Sequence, residues 1–156
     1  MASIINADTS NGLKLTSDTT GQLDFQSAGS TKATIDTAGN LKFDSGYGSV
    51  ATAYGCRAWV NFNGTSTVAI RDSANVSSVT DNGTGDYTIN FAIAMPDANY
   101  TINANTSFDG GGFTGQQNAQ PKADFTLLTT SFKVVTSNSS NAVLIDATKI
   151  FVVVHR

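Results

Sequence analysis

From residue 57 onward the chain alternates apolar and polar positions in short runs, and each run reads as a strand with one buried face. The runs are RAWVNF (57–62), TVAIR (67–71), VSSVT (76–80), DYTINFAI (86–93), YTINAN (100–105), DFTLLTT (124–130), FKVVTS (132–137), AVLID (142–146) and KIFVVVH (149–155). Turn-forming clusters separate them, NGT at 63, DNGTGD at 81 and MPDAN at 95. Short strands at this spacing predict an antiparallel β-sandwich, jelly-roll-like. In the run 86–93, Tyr87, Ile89, Phe91 and Ile93 share the core face, opposite Thr88, Asn90 and Ala92. Ala58, Val60 and Phe62 share a face opposite Trp59 and Asn61.

The first third follows a different pattern. Apolar pairs Leu13 and Leu15, Leu23 and Phe25, Ala33 and Ile35, and Leu41 and Phe43 recur every 8 to 10 residues, with glycines at 12, 21, 29 and 39 at or near the turns. Two apolar residues per strand predict a meander too thin to build a core alone, so its missing contacts come from elsewhere in the chain or from other copies. SGYGSVATAY (45–54) reads as a connector, giving an N-terminal β-repeat segment over residues 1–50 and a sandwich over 51–156. The terminal IFVVV (150–154) is apolar on both faces, which suits either a central strand or one that meets another subunit. The subunit reading makes Ile150, Val152 and Val154, with Leu13, Leu15, Leu23, Phe25, Ile35, Leu41 and Phe43, the candidate subunit interface.

Composition strengthens the all-β reading. Thr 21, Ser 16, Asn 14 and Gly 14 dominate the 156 residues, and all twelve acidic residues are Asp. Such side chains disfavour helix interiors and suit turns and pleated strands. Charged residues are only 13%, against roughly 25% in ordinary soluble domains. With a net charge of -3 and no cluster of Lys or Arg, nothing points to nucleic acid or an anionic membrane as partner. No apolar run reaches the ~18 to 20 residues that cross a bilayer, and the N-terminus lacks the pattern of a signal peptide, so synthesis in the cytoplasm is expected. The six Asn-x-Ser/Thr sequons, starting at 63, 75, 82, 99, 105 and 138, then reflect composition rather than glycosylation.

Candidate chemistry is sparse. Cys56 is the sole cysteine, expected as a small buried hydrophobe, and His155 is the sole histidine, so neither a catalytic triad nor a zinc set is expected. DNGTGD (81–86) has two carboxylates but places glycine at positions 3 and 5, unlike an EF-hand loop, and reads as a hairpin turn. Trp59 would suit a sugar-stacking platform or, more often for a lone Trp, packing. The longest predicted loop, FDGGGFTGQQNAQPKA (108–123), makes Phe108, Asp109, Phe113, Gln116 and Gln117 the candidate receptor-contact loop. No cofactor is expected.

Residues 56–102, and within them RAWVNFNGT, VAIR, VSSVTDNGTGDYTINF and MPDANY, resemble a domain common in tail-fibre and other virion structural proteins of tailed bacteriophages. The repeat-bearing N-terminal segment GLKLTSDTTGQLDFQSAGSTKATIDTAGNLKF is similar to segments of phage fibres. The resemblance implies a homotrimeric, non-enzymatic protein of the virion, its N-terminal meander or trimeric β stem holding an outward-facing sandwich. The implied partners are further copies of the chain and the major capsid or tail proteins. The chain length suits a capsid decoration or cement protein, or a short fibre. The alternatives are a tail-fibre tip binding a host-surface glycan and, further off, a polysaccharide-degrading enzyme built on two aspartates.

Overall fold

The computed structural model describes residues 21–46, 50–107, 117–138 and 141–156. The chain divides into two compact units, Met1–Ala53 and Tyr54–Arg156. Every strand pairing in the described residues is antiparallel, and they contain no helix.

In the first unit, β1 (Leu23–Ser27), β2 (Ser30–Ile35), β3 (Leu41–Phe43) and β4 (Ala51–Thr52) form one sheet in that order. Pairing in register sets Leu23, Ile35 and Leu41 in one row, and Phe25, Ala33, Phe43 and Ala51 in the next. Directly paired residues share a face, so both rows lie on the same side of the sheet. The other side is polar, where Asp24 accepts a 2.7 Å hydrogen bond from the buried Thr34 hydroxyl. The turn after β2 is locked by Asp36, whose carboxylate accepts from the amides of Ala38 and Asn40 and pairs with Lys42 at 3.0 Å.

The second unit is a β-sandwich of two four-stranded sheets. Its strands are β5 (Cys56–Asn63), β6 (Ala69–Ala74), β7 (Val76–Gly83), β8 (Asp86–Phe91), β9 (Thr101–Thr106), β10 (Gln117–Pro121), β11 (Ser131–Asn138) and β12 (Ile150–His155). One sheet has the order β6-β5-β12-β9 and the other β10-β11-β8-β7. The inner faces meet through Ala58, Val60 and Phe62 of β5, Ile150, Val152 and Val154 of β12, Tyr87, Ile89 and Phe91 of β8, and Phe132 and Val134 of β11. An aromatic edge ties the sheets together, with the Phe62 and Tyr87 ring centroids 5.2 Å apart, while Phe91 and Phe132, neighbours within one sheet, pack with centroids 5.4 Å apart.

Several expectations are corrected here. Ile150, Val152 and Val154 are buried within their own chain, because β12 pairs on both sides, with β5 and with β9. Those three side chains therefore belong to the core and not to a subunit interface. Ile93 does not continue the core face of β8. That strand stops at Phe91, and the Asn75 side chain captures the Ile93 amide at 2.7 Å, leaving Ile93 75% exposed. Cys56 is exposed rather than buried.

Residues 124–130 form turns instead of a strand, beginning where Phe125 donates its amide to Lys122. Residues 142–146 hold only a single bridge, Leu144 to Ser137, beyond a left-handed Ala142. Conversely, β10 lies inside the segment expected to be a loop. Its Pro121 lacks an amide hydrogen and is tolerated because β10 is an edge strand.

Phe132→Ala removes a fully buried ring and is expected to lower stability by about 3–5 kcal/mol. Ile93→Ala, on an exposed side chain, is expected to change it by no more than about 0.5 kcal/mol. Urea unfolding followed by the fluorescence of Trp59, the chain's sole tryptophan, measures both.

Candidate functional site

The acidic loop at 81–86 is a structural turn. Asp81 accepts the Gly83 amide at 2.9 Å, and Asp86 pairs with Lys122 at 2.8 Å while accepting from Asn82 at 3.2 Å. Both carboxylates are thus engaged by protein donors. Among the described residues no group of three or more His, Cys, Asp or Glu is placed to hold a metal ion.

The reason for the turn lies on its inner side. Tyr87, fully buried, places its hydroxyl 2.9 Å from Asp146 Oδ1 and 3.0 Å from the Gly64 carbonyl oxygen, so one proton serves two acceptors. Asp146 Oδ1 also accepts the Gly85 amide at 2.8 Å, and the Thr136 amide donates to the Gly85 carbonyl at 2.9 Å. Burial, reinforced by the carboxylate of Asp146, drives the Tyr87 hydroxyl well above the ordinary tyrosine range. It therefore stays protonated as a donor. Gly85 adopts φ +64, and a Cβ there would sit 2.5 Å from the Thr136 carbonyl oxygen. At Gly64 a Cβ would collide with the Tyr87 hydroxyl. Each of these polar atoms is matched to a packing partner, and no nucleophile faces an opening here. Tyr100 is a second such joint, its hydroxyl 2.9 Å from the Leu128 carbonyl, with burial raising its pKa to about 12.

Surfaces rather than enclosed centres therefore hold the candidate functions. The first is the apolar face of the β1-β2-β3-β4 sheet. Among the expected interface residues, Phe25, Ile35, Leu41 and Phe43 are exposed there, Leu41 by 52%, and Leu23 is half-buried. Leu13 and Leu15 lie outside the described residues, as do Phe108, Asp109, Phe113 and Gln116 of the expected receptor-contact loop. Gln117 opens the edge strand β10.

The second surface is an open groove of about 520 Å³ between the start of β5 and the segment after β8, bordered by Cys56, Arg57, Asn75 and Ile93. Asn75 shapes it, donating from one side-chain amide to the carbonyls of Arg57 at 3.2 Å and Ile93 at 3.1 Å. The third is a smaller cleft of about 300 Å³ at the end of β12, lined by Tyr54, Asn99, Thr101, His155 and Arg156. Arg156 is fixed there by a two-point pair with Asp97, at 2.6 and 3.0 Å, which holds the Asp97 carboxyl below the usual carboxylate range. Composition gave no signal for this cleft, because its residues come from three separated segments. Trp59 lies on the outer face of its sheet, opposite the core face of Ala58 and Val60, as the alternation predicts.

The chain was compared with protein-family models, with curated proteins and with solved structures, and none of them matches it.

Two expectations follow from these geometries. Gly83→Ala and Gly85→Ala both introduce strain at positive φ, but space is open around Gly83. Gly85→Ala should therefore lower the melting temperature distinctly more than Gly83→Ala in the same hairpin, as read by calorimetry. The second expectation concerns acid. Asp36 is lowered first by the Asn40 amide and then by Lys42, Asp44 by Lys32, and Asp97 by Arg156. Burial pushes Asp86 up, but Lys122 and Asn82 more than offset it. All four bind protons less readily folded than unfolded. Their stabilisation is complete above the ordinary carboxylate pKa of about 4 and is lost as pH falls through the lowered values. Melting temperature is expected to be flat near neutrality and to fall below pH of about 4, with Asp97→Asn showing a smaller acid-induced drop than the parent.

Proposed function

We propose that this chain is a structural protein of a bacteriophage particle, exposed on its surface as a trimeric capsid decoration or cement protein or as a short fibre. It carries out no catalysis in this reading. The observation that carries it is the exposed apolar face of the first unit, where Phe25, Ile35, Leu41 and Phe43 lie in two registered rows of a single thin sheet. Contiguous apolar surface of this kind on a small unit marks a contact with another polypeptide. Three copies sharing such faces would form a trimeric stem, and in this reading the sandwich is a jelly-roll-like domain of the same protein.

The outward sandwich fits that role in its surface chemistry. On the outer side of the β10-β11-β8-β7 sheet the polar side chains bond to one another. Asn90 donates to Ser78 at 3.0 Å and to Thr80 at 3.1 Å, and Asn82 donates to Thr88 at 2.9 Å. A low-charge surface knitted in this way keeps its shape without long ion pairs.

Sedimentation equilibrium is expected to give three times the chain mass, and Leu41→Ser with Phe43→Ser is expected to shift the protein toward monomer while leaving the sandwich folded. Labelled antibody is expected to decorate particles of the encoding phage. A stable monomer that is absent from particles would sink the proposal.

A further inference from the structure

Most cations of this chain are matched within it, and the exceptions share one surface. Among the described residues Lys32 pairs with Asp44, Lys42 with Asp36, Lys122 with Asp86 and Arg156 with Asp97, and Lys133 lies over the Phe125 ring at 5.5 Å. Arg57 and Arg71 have no carboxylate partner. Both lie on the outer face of the β6-β5-β12-β9 sheet, and each is the extra residue of a β-bulge. The ladder of β5 with β12 passes from Ala58 opposite Val154 to Cys56 opposite His155, skipping Arg57. That of β5 with β6 passes from Asp72 opposite Asn61 to Ile70 opposite Phe62, skipping Arg71. A bulge re-aims the side chain it inserts.

Between the two arginines the face is largely apolar. Trp59 pairs with Val153 in one outward row and Asn61 with Phe151 in the next. Trp59 and Val153 are half-buried and Phe151 is 37% exposed. Arg57 stands exposed at one end of this patch. At the other end, where Lys149 is also exposed, Arg71 is held across the sheet by the Thr148 carbonyl at 2.6 Å and Asn61 Oδ1 at 3.4 Å. Neither acceptor is charged, so the guanidinium is fixed in place with its charge intact. Arg57 and Asn61 are roughly 13 Å apart along β5. The acid of these rows is Asp72, which accepts the Ser73 amide at 2.9 Å and makes no ion pair among the described residues. Two unneutralised arginines thus face one carboxylate, on a chain whose net charge is -3. Beyond Val153 and Phe151, the exposed Asn103 and Asn105 side chains, which make no hydrogen bond among the described residues, form a polar border.

We propose that this face docks an acidic polypeptide, which brings carboxylates to Arg57 and Arg71 and an apolar side chain to Trp59 and Phe151. Arginine meets a carboxylate through parallel N–H donors, and aromatic residues with arginine are the types enriched where proteins meet. Arg71 is already immobilised, so little side-chain freedom is lost when its remaining donors bind. Nucleic acid fits less well, because its affinity rests on many phosphate contacts and this face sets its two arginines beside a carboxylate. A second copy of the chain is short of the ligand. Its Asp36, Asp44, Asp86 and Asp97 are already paired with cations, and its Asp146 is held by Tyr87 and Gly85. The inference is independent of the trimeric stem, which would use the sheet of the first unit.

Trp59, the sole tryptophan, lies in the patch, so its emission reports on occupancy. A synthetic peptide array pairing Asp or Glu with Leu or Phe at varied spacing is probed with the labelled full chain. The strongest peptide is then titrated in solution against Trp59 emission. Two versions of that peptide, one with Asn and Gln in place of its acids and one with Lys, serve as contrasts, together with a thymidine oligonucleotide as a polyanion without apolar side chains. The acidic peptide is expected to change the emission and to bind less tightly as salt rises. Its uncharged version is expected to bind about tenfold more weakly or worse. Arg57→Gln, at a side chain with no hydrogen bond to lose, and Phe151→Ala are each expected to weaken the acidic peptide by about tenfold. Lys133→Gln on the opposite sheet is expected to leave binding unchanged, and Arg57→Asp is expected to bind the Lys version more tightly than the parent does. Four outcomes overturn the inference: no acidic peptide that changes the emission, equal binding of the acidic and uncharged versions, binding unaltered by Arg57→Gln, and the oligonucleotide bound as tightly as the peptide. Emission that shifts with protein concentration alone would put a second copy on this face and overturn it as well.

Discussion

A single buried hydroxyl governs how the sandwich is assembled. Tyr87 brings a polar atom into a core made of Phe62, Ile89, Phe132 and Ile150, where an unsatisfied group would be costly. The protein answers with Asp146 and Gly64, and those answers impose further conditions. Asp146 must also accept the Gly85 amide, so the β7–β8 hairpin is tied to the segment before β12. Gly64 must lack a side chain, so the chain after β5 can pass over the ring. One phenol thus links a hairpin tip, a strand exit and the approach to the central strand.

The strands with strict alternation were legible in the sequence, because burial on one side and exposure on the other is what period two encodes. β5 and β8 show it directly in Ala58, Val60 and Phe62 and in Tyr87, Ile89 and Phe91, whereas β11 is buried on both faces, with Val135 opposite Phe132 and Val134. β12 was legible as a strand but not in its role. With valines on both faces, the pattern could not tell a central strand from one meeting a partner, and the pairing on both edges decides for the former. β10 was hidden because an edge strand of Gln, Asn and Pro carries no apolar alternation. Ile93 misled because its spacing fitted β8, whereas the Asn75 side chain turns the backbone away at that point.

The candidate surfaces divide along the same line. That Trp59 faces outward followed from its neighbours Ala58 and Val60. That Asn103 and Asn105 stay unbonded while Asn82 and Asn90 do not depends on which residues stand across the ladder, and no single-chain pattern carries that information. The two units also differ in kind. In the first, polar bonds organise one side of a sheet, and the other side is apolar with Phe25, Ile35, Leu41 and Phe43 exposed. In the second, two sheets cover each other, and the aromatic edges of Phe91, Tyr100 and Phe132 fill the space between.

The position of β12 has a kinetic meaning. It is the last of the eight strands to be synthesised, yet it lies between β5 and β9, and both of its ladders are missing until it arrives. Before then β6 and β5 form a hairpin with one open edge, and β9 has no partner in its own sheet. Such long-range pairing is slow to close, because chain entropy must be lost before the contacts reward it. Newly made chains would spend that interval with unpaired strand edges, the state most prone to join a neighbouring chain. That β9, TINANT in sequence, carries only Ile102 and Ala104 as apolar residues then acts as protection during the wait.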